Sequence, residues 1–346
     1  MNKNLIIILL TCACVNTQAQ VNLVKNAGFE QYSICPTTFD EVNLSYYWNS
    51  LDSDYNPIDS PIATGYCAPD YVNTCSTDTV TSVPANFYFY HYPHSGNGMM
   101  QVMMYYDNAT TTANNQRDYL QGHLYHALTT GQSYCVTFYV VLEDGLYDGS
   151  GYAVNHIGAY LDDGSVDTTS NCGLPQTEYT PQILDTTIIS DTLNWTKIQG
   201  TFIANGTERF ITIGNFFDDA HTDTIATFIT QHFALYLVDD VSVIASNATA
   251  YAGPDVTIAP GDTAWIGVDT AYGGTSAGDG MPCYWYVPGN PTPIDSGGRI
   301  GVTPSDTTTY VVSMDLCGTV TYDTVHVWVN TLGVTAPILS EREVIL

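Results

Sequence analysis

The feature that most constrains the fold is the near absence of helical periodicity along the 346 residues. Apolar residues recur instead in short runs that Gly, Asn, Asp and Pro bound. Such runs are typical of strands, and the residues between them are typical of turns. Examples are "NFYFYHY" (86–92), "MMQVMMYY" (99–106), "SYCVTFYVVL" (133–142), "TKIQGTFIA" (196–204) and "FALYLVDDVSVI" (233–244). The sequence therefore predicts an all-β protein built from antiparallel sheets.

The spacing of these runs divides the chain into predicted segments. Residues 20–246 contain enough strands for one jelly-roll β-sandwich, and residues 247–254 are a small-residue linker with a Gly-Pro pair. Residues 255–331 contain short strands, with a Trp two positions after one Cys and a second Cys later, which is typical of a smaller Ig-like β-sandwich. Residues 332–346 are predicted to be a tail.

Residues 1–19 have the three parts of a secretory signal peptide. Lys3 lies in the charged region, residues 5–10 form the apolar region, and Thr-Gln-Ala ends in a cleavage site. Cys12 and Cys14 offer the alternative of a lipoprotein signal. The apolar stretch is far shorter than the roughly 20 residues that span a bilayer, and no later segment of the sequence qualifies. We therefore expect an exported protein, either secreted or attached to the cell surface, with no membrane span.

Charge restricts the partners. The chain has 7 Lys and Arg against 35 Asp and Glu, which gives a formal net charge of −28. Such a surface repels nucleic acid and anionic lipid and attracts divalent cations. The 26 tyrosines favour contact with sugars or proteins, since a phenol has a flat apolar face and one hydroxyl. The expected partner is a polysaccharide or glycoconjugate, or another surface protein.

Seven cysteines follow the predicted signal peptide. An exported chain meets an oxidising environment, so disulfides are expected and one thiol is left over. Cys283 and Cys317 lie alone in the C-terminal part and form the first predicted pair. Cys35 and Cys75 form the second. The sequence leaves three cysteines unassigned: Cys67, Cys135 and Cys172.

Carboxylates stand near both ends of the predicted jelly roll. Glu30 lies at its start, and Asp239 and Asp240 lie in its last strand. Because the first and last strands of a jelly roll commonly lie side by side, these side chains are expected to meet. Two or three carboxylates with backbone carbonyls make the hard-oxygen cage that suits Ca²⁺. The alternative is that they are solvated residues at strand ends.

The order of several motifs carries a family resemblance. Residues 22–244 contain "NLVKNAGFEQYS", "HSGNGMM", "RDYLQGHL", "NWTKIQGTF", "ITIGNFFDD" and "LYLVDDVSVI". Together these resemble the jelly-roll domain of Bacteroidota cell-surface and secreted proteins, which is itself similar to galactose-binding-like carbohydrate-binding modules. The resemblance implies a structural calcium held by the Gly28 carbonyl, Glu30 and Asp240, with Asp239 as the substitute.

Two further segments resemble parts of the same proteins. The stretch from "AGPDVTIAPGD" to "TYDTVHVWV" resembles their Ig- or PKD-like repeats, and "LGVTAPILSEREVIL" resembles the lead-in to a type IX secretion sorting domain. The "YPNP"-type strand that would follow is missing. Export by that route is therefore expected only if the native chain is longer.

No catalytic constellation stands out in the sequence. A glycosidase needs two carboxylates that face each other across a cleft, and no spacing selects a pair among Glu143, Asp144, Glu178, Asp218 and Asp219. The histidine pairs His91/His94 and His123/His126 lie in strand-like or turn-like sequence. Residues three apart on a strand point to opposite faces, so ordinary surface histidines are expected.

Aromatic residues are the candidate ligand contacts. A sugar ring stacks its C–H face on Tyr or Trp while polar groups bind its hydroxyls. The candidates are Trp48, Tyr88, Tyr90, Tyr105 and Tyr147, although for each one taken alone a core or ordinary surface position is the better explanation. The predicted function is non-catalytic glycan binding through a calcium-stabilised jelly roll. The alternatives are an adhesin or structural surface module with a protein partner and, third, a glycan-active enzyme.

Overall fold

The computed structural model describes residues 22–51, 68–107, 115–143, 150–166, 179–227, 231–268 and 279–330. Within these ranges the regular structure is β apart from two one-turn 3₁₀ helices, Val42–Leu44 and Asp219–His221, so the predicted all-β sandwich class is confirmed. No helix in this described part of the chain is long and apolar enough to cross a bilayer.

The strands in chain order are β1 Trp48–Ser50, β2 Asp70–Asn73, β3 Gly98–Tyr106, β4 Leu120–His123, β5 Ser133–Leu142, β6 Tyr152–Val154, β7 Ile157–Asp162, β8 Ile183–Asp185, β9 Thr196–Ile203, β10 Phe210–Asn215, β11 Thr224–Ala226, β12 Phe233–Ala245, β13 Val256–Ile258, β14 Ala264–Gly267, β15 Cys283–Tyr286, β16 Asp295–Ser296, β17 Arg299–Val302, β18 Thr308–Leu316 and β19 Thr319–Val329.

Two five-stranded antiparallel sheets form the larger sandwich. Sheet A has the strand order β1-β4-β10-β7-β8, and sheet B has the order β2-β3-β12-β5-β9. Strand β6 pairs with β11 in a separate two-stranded ribbon. Apart from β7-β8 in sheet A and β2-β3 in sheet B, neighbouring strands are not consecutive in the chain. Sheet B has at its centre the last strand of this part of the chain, β12, which pairs with β3 on one side and β5 on the other.

Side chains that alternate along the strands build one apolar core between the sheets. Val136, Phe138 and Val140 of β5 all belong to it. Strand β12 is buried on both faces, because Tyr236 belongs to this core whereas Leu237 belongs to a second cluster on the outer side of sheet B. The continuous apolar run of β12 therefore reflects a strand that is covered from both sides.

The smaller sandwich consists of sheets C and D. Sheet C has the order β13-β19-β18-β15-β16, and sheet D pairs β14 with β17. Trp285 of β15 is fully buried and donates its indole N–H to the Gly297 carbonyl at 2.9 Å. Along β19, Val325 and Val327 are buried whereas His326 and Trp328 are exposed. This is the alternation of a half-buried strand that the sequence predicts.

The two sandwiches pack directly against each other. Cys135 of β5 and Ile244 of β12 belong to the apolar cluster of the smaller sandwich, and the predicted linker adds three buried alanines to that cluster. Lys197 of β9 forms an ion pair with Asp315 of β18 at 2.7 Å. The segment between the sandwiches is therefore part of a packed junction.

The disulfides confirm one predicted pair and correct the other. Cys35 and Cys75 are bonded, with their Cα atoms 5.8 Å apart. Cys317 is bonded to Cys135 of the larger sandwich, also with Cα atoms 5.8 Å apart, so the predicted Cys283–Cys317 pair is wrong. Cys283 is buried inside the core of the smaller sandwich, whereas Cys317 follows β18 at the junction. Two cysteines lie outside the described residues: Cys67 and Cys172.

Loss of the Cys135–Cys317 disulfide is expected to destabilise the protein. The bond closes a loop with a sequence separation of 182, and the chain entropy of such a loop corresponds to about 5 kcal/mol. We expect the double variant Cys135→Ser, Cys317→Ser to lower the free energy of unfolding by up to that amount in urea denaturation. The matched control, Cys35→Ser with Cys75→Ser, opens a loop with a separation of 40 and should cost about 1 kcal/mol less.

Peptide mapping without reductant checks the pairing itself. We expect a proteolytic fragment that links Cys135 with Cys317. A fragment that links Cys283 with Cys317 would contradict the structure.

Candidate functional site

The turn Ser95-Gly96-Asn97, which precedes β3, is bound by the side chain of Glu30. One carboxylate oxygen of Glu30 accepts hydrogen bonds from the backbone N–H groups of Asn97 at 2.6 Å and Gly98 at 2.8 Å. The other oxygen accepts the Asn97 side-chain amide at 3.2 Å. Glu30 thus holds the backbone of this turn in place with charge-assisted hydrogen bonds.

Asp239 and Asp240 reach the same turn from β12. The Asp239 carboxylate accepts the backbone N–H of Ser95 at 3.2 Å, and Asp240 accepts the Ser95 hydroxyl at 2.8 Å. Consecutive strand residues normally point to opposite faces. Here the pairing of β12 with β5 shifts register between Asp239 and Ser242, and Asp240 has a φ of 49°. This irregularity re-aims both carboxylates at one turn.

Gly96 is required where the turn meets Glu30. Its φ is 65°, and a Cβ at this position would lie 2.3 Å from Glu30 Oε1. Such a backbone conformation disfavours other residues, and a Cβ here would displace the Glu30 carboxylate from its position at the turn. The first glycine of the "HSGNG" motif, Gly96, is thus explained by its backbone conformation and by the close approach of the carboxylate.

Negative charge exceeds positive charge at this site. Burial raises the pKa of Glu30, in spite of hydrogen bonds from the turn. Burial and then the charge of Asp240 raise the pKa of Asp239 well above its ordinary range. Within the described residues, the basic side chain that contacts these carboxylates is His94, whose Nδ1 lies 2.6 Å from an oxygen of Asp240.

The donor atoms and the charge suit a hard divalent cation. The carboxylates of Glu30, Asp239 and Asp240 supply oxygens, which Ca²⁺ prefers, and Gly28 is buried two residues before Glu30. The part of the chain that the structure describes contains no group of three His, Cys, Asp or Glu already arranged for a metal. The carboxylates instead bind different donors of the turn. The three predicted carboxylates are therefore brought to one turn, and calcium there stays a prediction, as does the role of the Gly28 carbonyl.

His94 and Asp240 also line a cleft where the two sandwiches meet. The cleft is small and open to solvent, and Tyr139 of sheet B and Asp279 of the smaller sandwich also line it. The ring of His94 stacks on Tyr139 with their centroids 3.7 Å apart. Burial raises the pKa of Asp279 to about 7, although the N–H groups of Met281 and Gly298 donate to its carboxylate.

The prediction of ordinary surface histidines is wrong for three of the four. His91 is buried and its Nε2 lies 3.0 Å from the Thr192 carbonyl oxygen, and His94 is packed as described above. His123 is half-buried against Phe210, and burial lowers its pKa. His126 is exposed, as predicted.

A row of uncharged polar side chains crosses sheet A. Asn49 of β1, Gln121 of β4, Thr212 of β10 and Tyr160 of β7 lie directly opposite one another in the strand register. They face away from the core because the residues that alternate with them, such as Ile211, belong to it. Asn49 is exposed, Gln121 and Tyr160 are half-buried and Thr212 is buried. We call these four residues the sheet-A row.

Neighbouring side chains hold the middle of the sheet-A row and its Tyr160 end. The Gln121 amide donates to the Thr212 hydroxyl at 3.3 Å. The Tyr160 ring packs against Tyr179 with centroids 5.0 Å apart and against Phe216 with centroids 6.1 Å apart. The row therefore ends on a supported aromatic ring, and Thr212 separates this ring from the oriented amide of Gln121.

The predicted aromatic contacts do not converge. Trp48 is 1% exposed, packs on Phe29 and donates to the Asn26 carbonyl, so its predicted ligand role is wrong. The parity of β1 turns Trp48 inward and its neighbour Asn49 outward. The phenol of Tyr105 is half-buried beside Tyr152, and burial raises its pKa to about 12.

Two other predicted contacts lie together, and one cannot be placed. Tyr88 and Tyr90 both belong to the loop between β2 and β3, where Tyr88 is half-buried and Tyr90 is 49% exposed. Tyr147 lies outside the described residues. The sheet-A row contains no predicted contact. Strand parity could have marked Thr212 and Tyr160 as outward-facing, but the sequence does not show which strands are neighbours.

Three acidic residues considered for catalysis have structural partners. Glu143 is buried and accepts a hydrogen bond from the Gln101 amide. Asp218 caps the second 3₁₀ helix, and Asp219 forms an ion pair with Arg117 at 2.7 Å. These partners give the three carboxylates roles in the fold. Two of the acidic residues considered lie outside the described residues: Asp144 and Glu178.

Several solved structures are similar to this chain. They include the CBM22-1 xylan-binding domain of Xyn10C from Paenibacillus barcinonensis, at 16% identity over 66% of this chain and 96% of that one, with a TM-score of 0.32. The K1 cleaved adhesin domain of Lys-gingipain from Porphyromonas gingivalis is 15% identical over 63% of this chain and 95% of that one, with a TM-score of 0.30. The adhesin domain of Epf from Streptococcus pyogenes is 9% identical over 90% of this chain and 99% of that one, with a TM-score of 0.28. No protein-family model and no curated protein matches.

Asp279 should make stability at the junction depend on pH. Its pKa is raised from 3.8 to about 7, so its stabilising protonated form is lost as the pH rises through about 7. We expect the free energy of unfolding in urea to fall between about pH 4 and about pH 7 and to level off above that. The side chain of the variant Asp279→Asn cannot ionise, so its free energy of unfolding should fall less over this pH range. The variant also loses one of the two backbone N–H contacts of the Asp279 carboxylate. Equal falls in both proteins would contradict the assignment.

Proposed function

We propose that this protein is an exported, non-catalytic binding protein whose larger sandwich binds a neutral polysaccharide or glycoconjugate across sheet A. The observation that carries the proposal is the sheet-A row, in which the oriented amide of Gln121 and the supported ring of Tyr160 lie on either side of Thr212. Sugar recognition needs this combination, because ring C–H groups stack on an aromatic face while hydroxyls pair with amides. The predicted signal peptide supports export.

The length and charge of the row support an extended, uncharged ligand. Four adjacent strands separate its ends by three strand spacings, about 14 Å in total, so more than one sugar ring fits along it. The row itself carries no charge, and the net charge of −28 disfavours acidic polysaccharides. A neutral glycan chain that crosses the strands therefore fits best.

Two residues of the row have separate roles in this proposal. Tyr160 supplies the stacking face, and its contacts with Tyr179 and Phe216 fix the ring before a ligand arrives. Gln121 supplies hydrogen bonds to sugar hydroxyls, and its contact with Thr212 fixes the orientation of the amide. Such preorganisation reduces the entropy that binding would otherwise cost.

Substitutions in the row should weaken glycan binding. A glycan array identifies the ligand, and xylan and cellulose oligosaccharides are suitable first probes for calorimetry. We expect Gln121→Ala and Tyr160→Ala each to raise the Kd by roughly five-fold, which corresponds to about 1 kcal/mol. Tyr160→Phe keeps the stacking face and should bind nearly as the native protein does.

The control is Tyr322→Ala, which removes an exposed aromatic residue from the smaller sandwich. It should leave the Kd unchanged, and circular dichroism should show that all variants are folded. Native affinity in both Gln121→Ala and Tyr160→Ala would overturn the assignment of the glycan site to sheet A.

We also propose that calcium stabilises the larger sandwich at the turn Ser95-Gly96-Asn97. Glu30, Asp240, Asp239 and the Gly28 carbonyl would hold the ion, and the ion would supply positive charge to a site that has an excess of negative charge. Buried carboxylates with raised pKa values support this proposal, because a bound cation would lower the free energy of their ionised forms.

Removal of calcium should therefore lower the melting temperature. At free calcium near 100 times its Kd, binding stabilises the folded state by about 2.7 kcal/mol, and EGTA removes this contribution. Glu30→Gln and Asp240→Asn should melt at lower temperature in calcium and should not respond to EGTA. Asp262→Asn, which changes an exposed acidic residue of the smaller sandwich, should respond as the native protein does. A native protein that melts at the same temperature with calcium and with EGTA would rule out the metal.

A further inference from the structure

An exposed apolar patch covers the outer side of sheet B. It consists of Phe87, Tyr90 and Tyr92, which are 46%, 49% and 61% exposed, and Leu193, which is 79% exposed. The three aromatic residues belong to the loop between β2 and β3, and Leu193 precedes β9. We call these four residues the aromatic patch.

The loop of the aromatic patch is held by contacts beneath it. Phe89 is fully buried in the cluster on the outer side of sheet B. The Asn86 side chain accepts the N–H groups of Tyr88 at 2.8 Å and Phe89 at 3.0 Å. The ring of His91 lies 3.0 Å from the Thr192 carbonyl oxygen and so connects the loop to the segment that carries Leu193. The exposed side chains are therefore presented on an anchored support.

The chemistry of the patch differs from that of the sheet-A row. The side chains of Phe87 and Leu193 have no hydrogen-bonding group, and none of the four side chains of the patch is an amide. Tyr90 and Tyr92 pack edge to face with centroids 6.1 Å apart. Exposed apolar side chains that form a group mark protein-interaction surfaces, in which aromatic residues are enriched. The patch therefore fits protein side chains better than sugar hydroxyls.

Acidic residues flank the patch on both sides. The Phe87 N–H donates to the Thr79 carbonyl at 2.8 Å, which places Asp78 next to the patch. Asp191 lies two residues before Leu193, and its carboxylate accepts the Leu193 N–H at 2.8 Å. With a net charge of −28, a second copy of this chain would be repelled. A partner with cationic side chains around an apolar centre would be attracted.

We propose that the aromatic patch is a docking surface for a different protein, which inserts apolar side chains flanked by Lys or Arg. This function goes beyond glycan binding and uses a separate surface. The sheet-A row lies on the outer face of sheet A, whereas the patch lies over the outer face of sheet B, so one ligand does not block the other. The protein would thereby connect a glycan to a basic protein partner.

A phage-displayed library of short random peptides tests the proposal. The library is panned on the full chain and counter-selected on the double variant Phe87→Ser, Leu193→Ser. We expect selected peptides to be rich in apolar residues flanked by Lys or Arg. They should bind the native chain about ten-fold more tightly than the double variant, a difference of about 1.4 kcal/mol. The double substitution changes no charge, so the general attraction of basic peptides to an acidic protein is the same for the native chain and the variant and cancels in the comparison.

Two further variants separate this proposal from glycan binding. Val320→Ser with Tyr322→Ser removes exposed apolar side chains from the smaller sandwich and should bind the peptides as the native chain does. Gln121→Ala should also bind the peptides normally, even where it no longer binds glycan. Thermal melting of each variant should show that it is folded, because the substituted side chains are exposed or half-buried.

Four results would overturn the proposal. The first is that no selected peptide distinguishes the native chain from the double variant. The second is selection of acidic or uncharged peptides, which would contradict the charge argument. The third is a native dimer in sedimentation that the double variant does not form, which would assign the patch to a second copy. The fourth is loss of glycan-array binding in the double variant but not in Gln121→Ala, which would place the glycan at the patch instead.

Discussion

Strand β12 is the element on which the larger sandwich depends, because it pairs with β3 on one side and β5 on the other. It also fixes the beginning of the described chain, since the Asn22 side chain accepts the Val243 N–H and donates to the Val241 carbonyl. The register shift beside Asp239 then turns two carboxylates towards the turn that Glu30 already binds. Sheet pairing, closure of the sandwich and the acidic site thus share one strand.

The same strand explains how the smaller sandwich is attached. Beyond its register shift β12 continues to Ala245, and Ile244 belongs to the apolar cluster of the smaller sandwich. Lys197 of β9 and Cys135 of β5 add an ion pair and a covalent bond from the same sheet. Sheet B is therefore covered in part by the smaller sandwich and in part by the loop of the aromatic patch, whereas the sheet-A row faces away from both.

The sequence predicts what depends on local periodicity and fails where distant strands decide. Alternation and turn residues indicate most of the strands, but residues 86–92, which the sequence predicts as a strand, form part of the loop between β2 and β3. The closure of a jelly roll correctly brings Glu30 near Asp239 and Asp240. Proximity in sequence suggests Cys283 as the partner of Cys317, but contact between the two sandwiches selects Cys135 instead. The predicted ligand role places Trp48 on the wrong face of β1. It points into the core, whereas Asn49, one position along the strand, points outward. The sheet-A row requires the pairing of four strands, which no local pattern contains.

The distribution of acidic residues connects the charge of the chain with its uncharged binding surfaces. Many carboxylates bind backbone N–H groups within turns, as Glu208 does for Asn205 and Gly206, and Asp191 does for Leu193. Acceptors of this kind stabilise loops that connect strands, and they require no cation. A chain can therefore carry many carboxylates as turn-forming groups while the outward faces of its sheets present amides, hydroxyls and aromatic rings. In the function proposed above, the overall negative field selects against acidic partners, and the neutral faces determine which of the remaining partners bind.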